Sequence, residues 1–487
     1  MNYYKQNMET LAQQYNRIPL FRELNISSLD FLSLLKAMRD EEYFIFLESA
    51  GKTKNKGRFS YLCFNPAAVI TAYGSHIVRQ KDGVSERIEK SVFDFLDEEL
   101  KKITSPDTDQ FGDFNGGYAG YVGYEAVNKT GILRKEVKYD DDHPMAELVL
   151  ADEFIVYDNY TEKYYVSASF YTSDGELNYL VRKTTERLSN LEAYILKIIS
   201  GEKISYLPSR PAEVKMEYME SDCSFINKIK DVKEMISGGE IIQAVLSRRM
   251  EVREKITPYN FYLKIRTVNP SPYMYMLKMR KRYITGCSPE THLKIKKNVM
   301  HLKPIAGTAP IPSSAKEKKS VRKELLLDRK ERAEHLMLVD LARNDLSRIS
   351  EKGSVSVTRF MKVEDYSHVM HIVSDVTGVM KSSSSIVDAF RFSFPAGTVT
   401  GAPKVRAVEI IDEIEAMPRE AYAGAIGYFG FNKTSDTCIT IRSAFFDESG
   451  VHIQAGAGIV YDSIPDRESM EIDNKLRALT VSMGYAV

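Results

Sequence analysis

Short apolar runs closed by polar residues recur through the first 205 positions of the chain. Tyr43-Phe-Ile-Phe-Leu47 predicts a buried strand, ended by Glu48 and Ser49. Leu148-Val-Leu-Ala151 and Phe154-Ile-Val-Tyr157 predict two more. Gly116 to Tyr124 spaces glycines among aromatics, which points to close backbone packing and does not by itself make a phosphate loop. From about 176 to 200 the pattern becomes that of one long helix. After 205 the pattern predicts a helix over about 222–237 and a strand at Ile241–Leu246, then short strands alternating with helices. Glu331 to Asn344 has the amphipathic helical period, with Asp328 placed to cap it. The last helix is predicted to begin at Glu468 and to bury Ile472, Leu476, Leu479 and Met483. Lys203 to Pro211 holds two prolines and predicts a linker between an N-terminal domain, 1–205, and a C-terminal domain, 215–487. Lys316 to Glu324 is a charge run that reads as a solvated face.

A chain of 487 residues exceeds one ordinary core, so two domains or one large α/β unit are expected. Lys+Arg and Asp+Glu both number 67, which leaves no electrostatic footprint for nucleic acid or a membrane surface. The cysteines, Cys63, Cys223, Cys287 and Cys438, are far apart in sequence, so they predict reduced thiols in a cytoplasmic protein. The N-terminus opens no apolar signal region, and no apolar stretch is long enough to span a bilayer.

Several segments carry candidate chemistry. Phe394-Pro-Ala-Gly-Thr-Val-Thr-Gly-Ala-Pro-Lys404 is too rich in proline and glycine for a regular element. It leads into a helical run, so it is either an ordinary turn or an anion cradle at a helix N-terminus. Glu334 shares a helix face with Met337, Leu338 and Leu341, and with Glu331 one turn earlier. A carboxylate on an apolar face needs a partner, which could be a metal, a cationic ligand or an arginine. Glu468, Glu471 and Lys475 lie off the buried stripe of the last helix, and Glu471–Lys475 has the spacing of a surface ion pair. His371 sits in a strand-like segment, where a core histidine is the commoner outcome. Arg442 alternates with apolar residues, as an arginine projecting from a strand would. Gln454-Ala-Gly-Ala-Gly458 reads as a turn or strand end with exposed amides.

The order of these segments resembles that of the chorismate-utilising enzymes, and within them the large, aminating components of anthranilate synthases. The motifs are Gly286-Cys-Ser-Pro-Glu290, Pro304-Ile-Ala-Gly-Thr308, Glu331-Arg-Ala-Glu-His335, Asp340-Leu-Ala-Arg-Asn-Asp345, Phe394 to Lys404, and Gln454 to Gly458. The resemblance implies an α+β sandwich of two packed antiparallel sheets with outer helices, and an active site in the cleft between them. It implies that Glu334 and Glu471 hold Mg²⁺ against the ring carboxylate of chorismate, with Lys475 and Glu468 beside them. Gly307, Thr308, His371, Thr398 and Gly456 are implied to line the ring, and Tyr422, Arg442 and Gly458 to hold the enolpyruvyl carboxylate. Glu290 is implied to protonate the departing C4 hydroxyl, and His371 to assist loss of pyruvate.

Two positions bear on the nucleophile. Isochorismate and salicylate synthases carry a water-activating lysine where this chain has Gln243, and an amide cannot act as that base. Aminodeoxychorismate synthases typically carry a nucleophilic lysine where this chain has Ala306. Both substitutions favour ammonia adding at C2, with anthranilate as product. An aminodeoxychorismate or aminodeoxyisochorismate synthase is the alternative. No cysteine has the setting of a glutaminase nucleophile, so ammonia from glutamine implies a separate amidotransferase subunit. Glu48, Ser49, Pro272, Tyr273 and Met274 resemble a tryptophan feedback site, with Glu48 pairing with the inhibitor's ammonium.

Overall fold

Alternating burial along the strands assembles two large antiparallel sheets in a computed structural model that describes residues 8–26, 31–49, 57–108, 111–200, 214–254, 256–366 and 369–484. The first sheet joins Tyr43–Glu48 to Tyr273–Met279, then Arg282–Ser288, Ser443–Phe446, Val451–Ile459 and Gln243–Val252. The second joins Ile305–Pro310 to Val369–Val379, then Val299–Leu302, Thr291–Lys296, Ser435–Ile439, Ala425–Gly430 and Gly117–Val122. Residues before 200 and after 214 contribute strands to both sheets. Met274 pairs with Glu48 in the first sheet, and Gly427 pairs with Gly120 in the second. The linker expected at 203–211 lies outside the described residues.

The sheets pack face to face as the resemblance implied. Their shared core holds Ile45, Phe154, Tyr275 and Leu277 from one side, and Val69, Tyr121, Ile426 and Tyr428 from the other. Helices cover both outer faces. Pro258–Val268 and Pro465–Met483 bury their apolar sides on the first sheet, and Val92–Lys102, Arg329–Ser347 and Ile386–Ser393 on the second. The close packing expected near Gly117 and Gly120 is present, because a side chain on either would stand 2.1 Å from the carbonyl oxygen of a neighbouring strand. No described helix is long and apolar enough to cross a membrane.

Local readings held in several places. The long helix spans Leu177–Ser200, and the next one spans Asp222–Ser237. Asp328 caps the Arg329–Ser347 helix by accepting from the amides of Lys330 and Glu331. The charge run lies on a largely exposed helix, Ala315–Leu327. Other readings shift. The strand expected at 241–246 starts at Gln243 and runs to Val252. The last helix starts at Pro465, which takes the first-turn position where a missing amide costs nothing.

Two expectations are corrected. Gln454 to Gly458 is no turn with exposed amides. It is strand interior, paired residue for residue with Arg249 to Val245. Arg442 does not project from a strand either. The chain leaves the second sheet at Ile439 and enters the first at Ser443, and Arg442 sits between with a left-handed φ of 53°.

Candidate active site

Two chain crossings between the sheets form the frame of the site. Arg282–Ser288 of the first sheet continues into Thr291–Lys296 of the second, and Pro289 and Glu290 make the step. Ser435–Ile439 continues into Ser443–Phe446 in the opposite sense, and residues 440–442 make that step. The crossings lie side by side. The Ile439 amide donates to the Glu290 carbonyl at 3.1 Å, and the Cys287 amide to the Arg442 carbonyl at 3.1 Å. Glu290 and Arg442 are therefore held together at the seam by backbone.

Burial pushes the Glu290 carboxyl up to about 8, opposed by the Thr398 hydroxyl and by the positive charges of Lys475 and Arg442. At neutral pH this acid keeps its proton. Thr398 Oγ1 is buried without a well-formed hydrogen bond, and the Glu290 carboxyl is the group it acts on. The Arg442 guanidinium has no hydrogen-bond or ion-pair partner among the described residues, yet its charge is felt by Glu290, Cys287 and His371. A free guanidinium in a half-buried cleft is suited to a carboxylate.

His371 lies on the Val369–Val379 strand, opposite Thr308. Its Nδ1 is 3.1 Å from the Gly307 carbonyl and 3.2 Å from Thr308 Oγ1. The carbonyl can only accept, so Nδ1 carries the hydrogen and Nε2 keeps its lone pair. Burial pushes the ring down to about 4, so it is neutral and basic at Nε2. Gly307 has φ of 67°, in a bulge where pairing shifts register between Ala306 and Thr308. A side chain there would also meet Ile372 at 3.0 Å and Glu331 at 3.2 Å.

The glycines of the Val451–Ile459 strand clear space for two other groups. A side chain on Gly456 would stand 3.0 Å from the Tyr422 hydroxyl. One on Gly458 would stand 2.5 Å from the Gln243 amide nitrogen. Tyr422 and Gln243 are both buried and reach across this bare strand. Lys475 Nζ donates to the Gly456 carbonyl at 2.8 Å and pairs with Glu471 at 2.7 Å.

Carboxylates gather above this floor. The Glu334 pKa is raised, by burial first and then by the charges of Glu331 and Glu471. Glu331 is raised by burial, then by Asp328 and, more weakly, Glu471. Among the described residues no group of three or more acids, histidines or cysteines closes into a metal cage. Two hard oxygen donors on different helices, with neighbouring acid charge, fit Mg²⁺ that keeps most of its waters. A small cleft of about 40 Å³ opens beside Glu290 and Thr398, walled by Leu338, Leu341 and Lys303.

The sequence pattern of the chorismate binding enzymes matches residues 42–481. The chain belongs to that family. Among the relatives of this chorismate binding enzyme, anthranilate synthase component 1 of Acetivibrio thermocellus is 35% identical, with 98% of each chain covered. The protein of the same name from Aquifex aeolicus is 36% identical, covering 100% of this chain and 98% of its own. The crystal structure of anthranilate synthase component I from Streptococcus pneumoniae superposes with a TM-score of 0.75 at 32% identity, over 87% of this chain and 92% of that one. The menaquinone-specific isochorismate synthase of Escherichia coli shares the fold, with a TM-score of 0.72 at 17% identity, over 98% and 100% of the two chains.

In this chorismate binding enzyme the structure draws Glu290, Thr398, His371, Thr308, Arg442, Tyr422, Gln243, Gly456, Gly458 and Lys475 to one seam. Glu468 was read as lying off the buried stripe, but it is buried, and its pKa is raised by that burial. Lys404 is not left open to a bound anion. Its ammonium is held by Asp345 at 2.8 Å and the Ser393 carbonyl at 3.0 Å. The residues resembling a tryptophan site divide between two faces. Glu48 and Met274 are cross-strand partners and share a face, where Arg266 forks onto Glu48 at 2.7–2.9 Å and Tyr262 donates to it. Tyr273 points to the other face, where its hydroxyl donates to Asp436 at 2.8 Å. Pro272 is exposed at the strand's start, and the Ser49 amide donates to Ser60 at 3.2 Å. Sequence reasoning gave no role to Glu331, whose spacing of three from Glu334 was the available signal.

Proposed function

We propose that this chain is the aminating component of an anthranilate synthase, converting chorismate and ammonia to anthranilate and pyruvate at the start of tryptophan biosynthesis. The observation that carries this reading is likeness along nearly the whole chain to proteins named anthranilate synthase component 1, with a buried acid, Glu290, and a neutral His371 that both feel the charge of Arg442. Arg442 and Tyr422 take the enolpyruvyl carboxylate. Glu334 and Glu471 would hold Mg²⁺, which would neutralise the ring carboxylate. Lys475 balances the same charge from the Gly456 side.

Glu290 gives its proton to the C4 hydroxyl as the C4–O bond breaks, and water leaves. Ammonia adds at C2, and the ring double bonds shift towards C4. His371 Nε2 then takes the C2 proton while the C3–O bond breaks, and the enolpyruvyl group departs as an enolate that takes up a proton at its methylene carbon to become pyruvate. Gln243 cannot take a proton from water, and Ala306 cannot attack the ring, so ammonia is the nucleophile left. None of the cysteines is set as a glutaminase nucleophile, and "component 1" in the relatives' names supports a second subunit, the amidotransferase. Four free thiols, three of them buried, support a cytoplasmic setting. Tryptophan acts as feedback inhibitor at the face of Glu48 and Met274, where its ammonium displaces Arg266 from Glu48.

The test is chorismate, Mg²⁺ and ammonium with the purified chain, read by anthranilate fluorescence and product mass. Anthranilate and pyruvate in equal amounts are expected, with the rate lowered by added tryptophan. An aminated product that keeps its enolpyruvyl group, or no aminated product, overturns the reading.

A further inference from the structure

One fully buried cation joins four walls of the site without facing the pocket. Arg419 lies three residues before Tyr422 and is 2% exposed. Its Nε and Nη2 donate to the two oxygens of Glu415 at 2.8 and 2.7 Å, a forked pair. Nη1 donates to the Val399 carbonyl at 2.7 Å, and Nη2 also donates to the Val245 carbonyl at 2.6 Å. Glu415 Oε1 in turn accepts from the Ser247 amide at 2.7 Å and hydroxyl at 2.9 Å. That hydroxyl accepts from Gln454 Nε2 at 2.8 Å. The Tyr422 amide donates to the Arg419 carbonyl at 3.1 Å, and the guanidinium lies 5.9 Å from the Tyr422 ring.

Every atom gripped this way stands close to a pocket wall. Val399 adjoins Thr398, Val245 is two residues from Gln243, and Gln454 is two before Gly456. Fold stability alone does not call for a charged pair here, since well-packed apolar side chains often replace a buried ion pair at no loss. An apolar side chain cannot hold two carbonyls of different segments in one plane, whereas a guanidinium fork does so by its shape.

We infer that Arg419, held by Glu415, is the positioning residue that fixes the spacing of Thr398, Gln243 and Tyr422, and through it the fit of the pocket to chorismate. This rests on the chorismate reading of the site. Arg419 acts through backbone carbonyls and touches no reacting atom. Lysine in its place keeps a positive charge for Glu415 but lacks the fork, so it does not restore the fit.

The experiment compares Arg419→Lys, Glu415→Gln and the double variant Arg419→Met with Glu415→Met against the unmodified full chain. Melting temperature, kcat, KM for chorismate and KM for ammonium are measured, with chorismate binding by calorimetry. A displacement of about 1 Å is worth roughly 100-fold in rate. The double variant is expected to fold but to melt lower, because the Val399 and Val245 carbonyls and the Ser247 amide lose their partners, with KM for chorismate raised at least tenfold and kcat/KM lowered about 100-fold. Folded variants with unchanged KM and kcat overturn the inference. If the double variant does not fold, Arg419→Lys decides in the same way: weakened chorismate binding in a folded chain supports the inference, and unchanged binding overturns it. An unmodified chain that binds chorismate but makes no anthranilate defeats the amination reading, while the binding comparison still reads the Arg419 role.

Discussion

Glu290 and His371 hold opposite proton states at neutral pH for one reason: burial penalises the charged form of each. The acid is pushed up to about 8 and the ring down to about 4, so the pair is ready to give and to take a proton over the window between. With the free-base ammonia concentration held fixed, kcat/KM for chorismate is expected to fall as pH rises through about 8. Glu290→Gln should lower kcat by about 10²–10⁴-fold and remove that alkaline limb. Stability carries the same signature. The Glu290 carboxyl titrates near 4.5 in an ordinary setting and holds its proton to about 8 in the fold. The folded state thus binds the extra proton across that window, and the stability it contributes is full below about 4.5 and lost as pH rises towards 8. Urea midpoints of Glu290→Gln should therefore fall less between pH 5 and 8 than those of the unmodified chain. The motif Gly286 to Glu290 made this acid legible in sequence, and its role as a proton donor already implied a carboxyl kept protonated by burial, as the structure has it. Arg442, by contrast, was misplaced. Alternation of Ile439, Ile441 and polar neighbours looks the same whether a strand continues or the chain changes sheets.

At the scale of elements, two helices and one bare strand decide the site. The Arg329–Ser347 helix is capped by Asp328 at its start and tied by Asp345 to Lys404 near its end, which sets Glu334 against the seam. Glu334→Gln and Glu471→Gln are each expected to abolish turnover while leaving the circular dichroism and melting temperature close to those of the unmodified chain. Near-normal activity of both at low Mg²⁺ would remove the metal assignment. Gly458→Ala should lower kcat/KM, because the new methyl displaces the Gln243 amide from 2.5 Å; retained kinetics would show that Gln243 does not need that place. Helix periods and the Asp328 cap were readable because both are local. The start of the last helix and the burial of Glu468 were not, since they depend on how that helix meets the sheet and the carboxylates of its neighbour.

For the whole molecule, the strand order was the least legible level, because pairing joins residues hundreds of positions apart. Met274 pairs with Glu48 and Gly427 with Gly120, so neither half of the chain owns a sheet. A fragment of residues 214–487 is expected to show no cooperative unfolding transition on its own, measured by circular dichroism in urea. A cooperative melt of that fragment would mean that the shared sheets are dispensable. The two crossings also impose a thickness gauge. From Ser288 to Thr291 is three residue steps, at most about 11 Å of extended chain, and packed sheets lie about 10 Å apart. With only Pro289 and Glu290 in the step, the sheets cannot part far here, and the place of the acid is set by covalent chain rather than by packing alone.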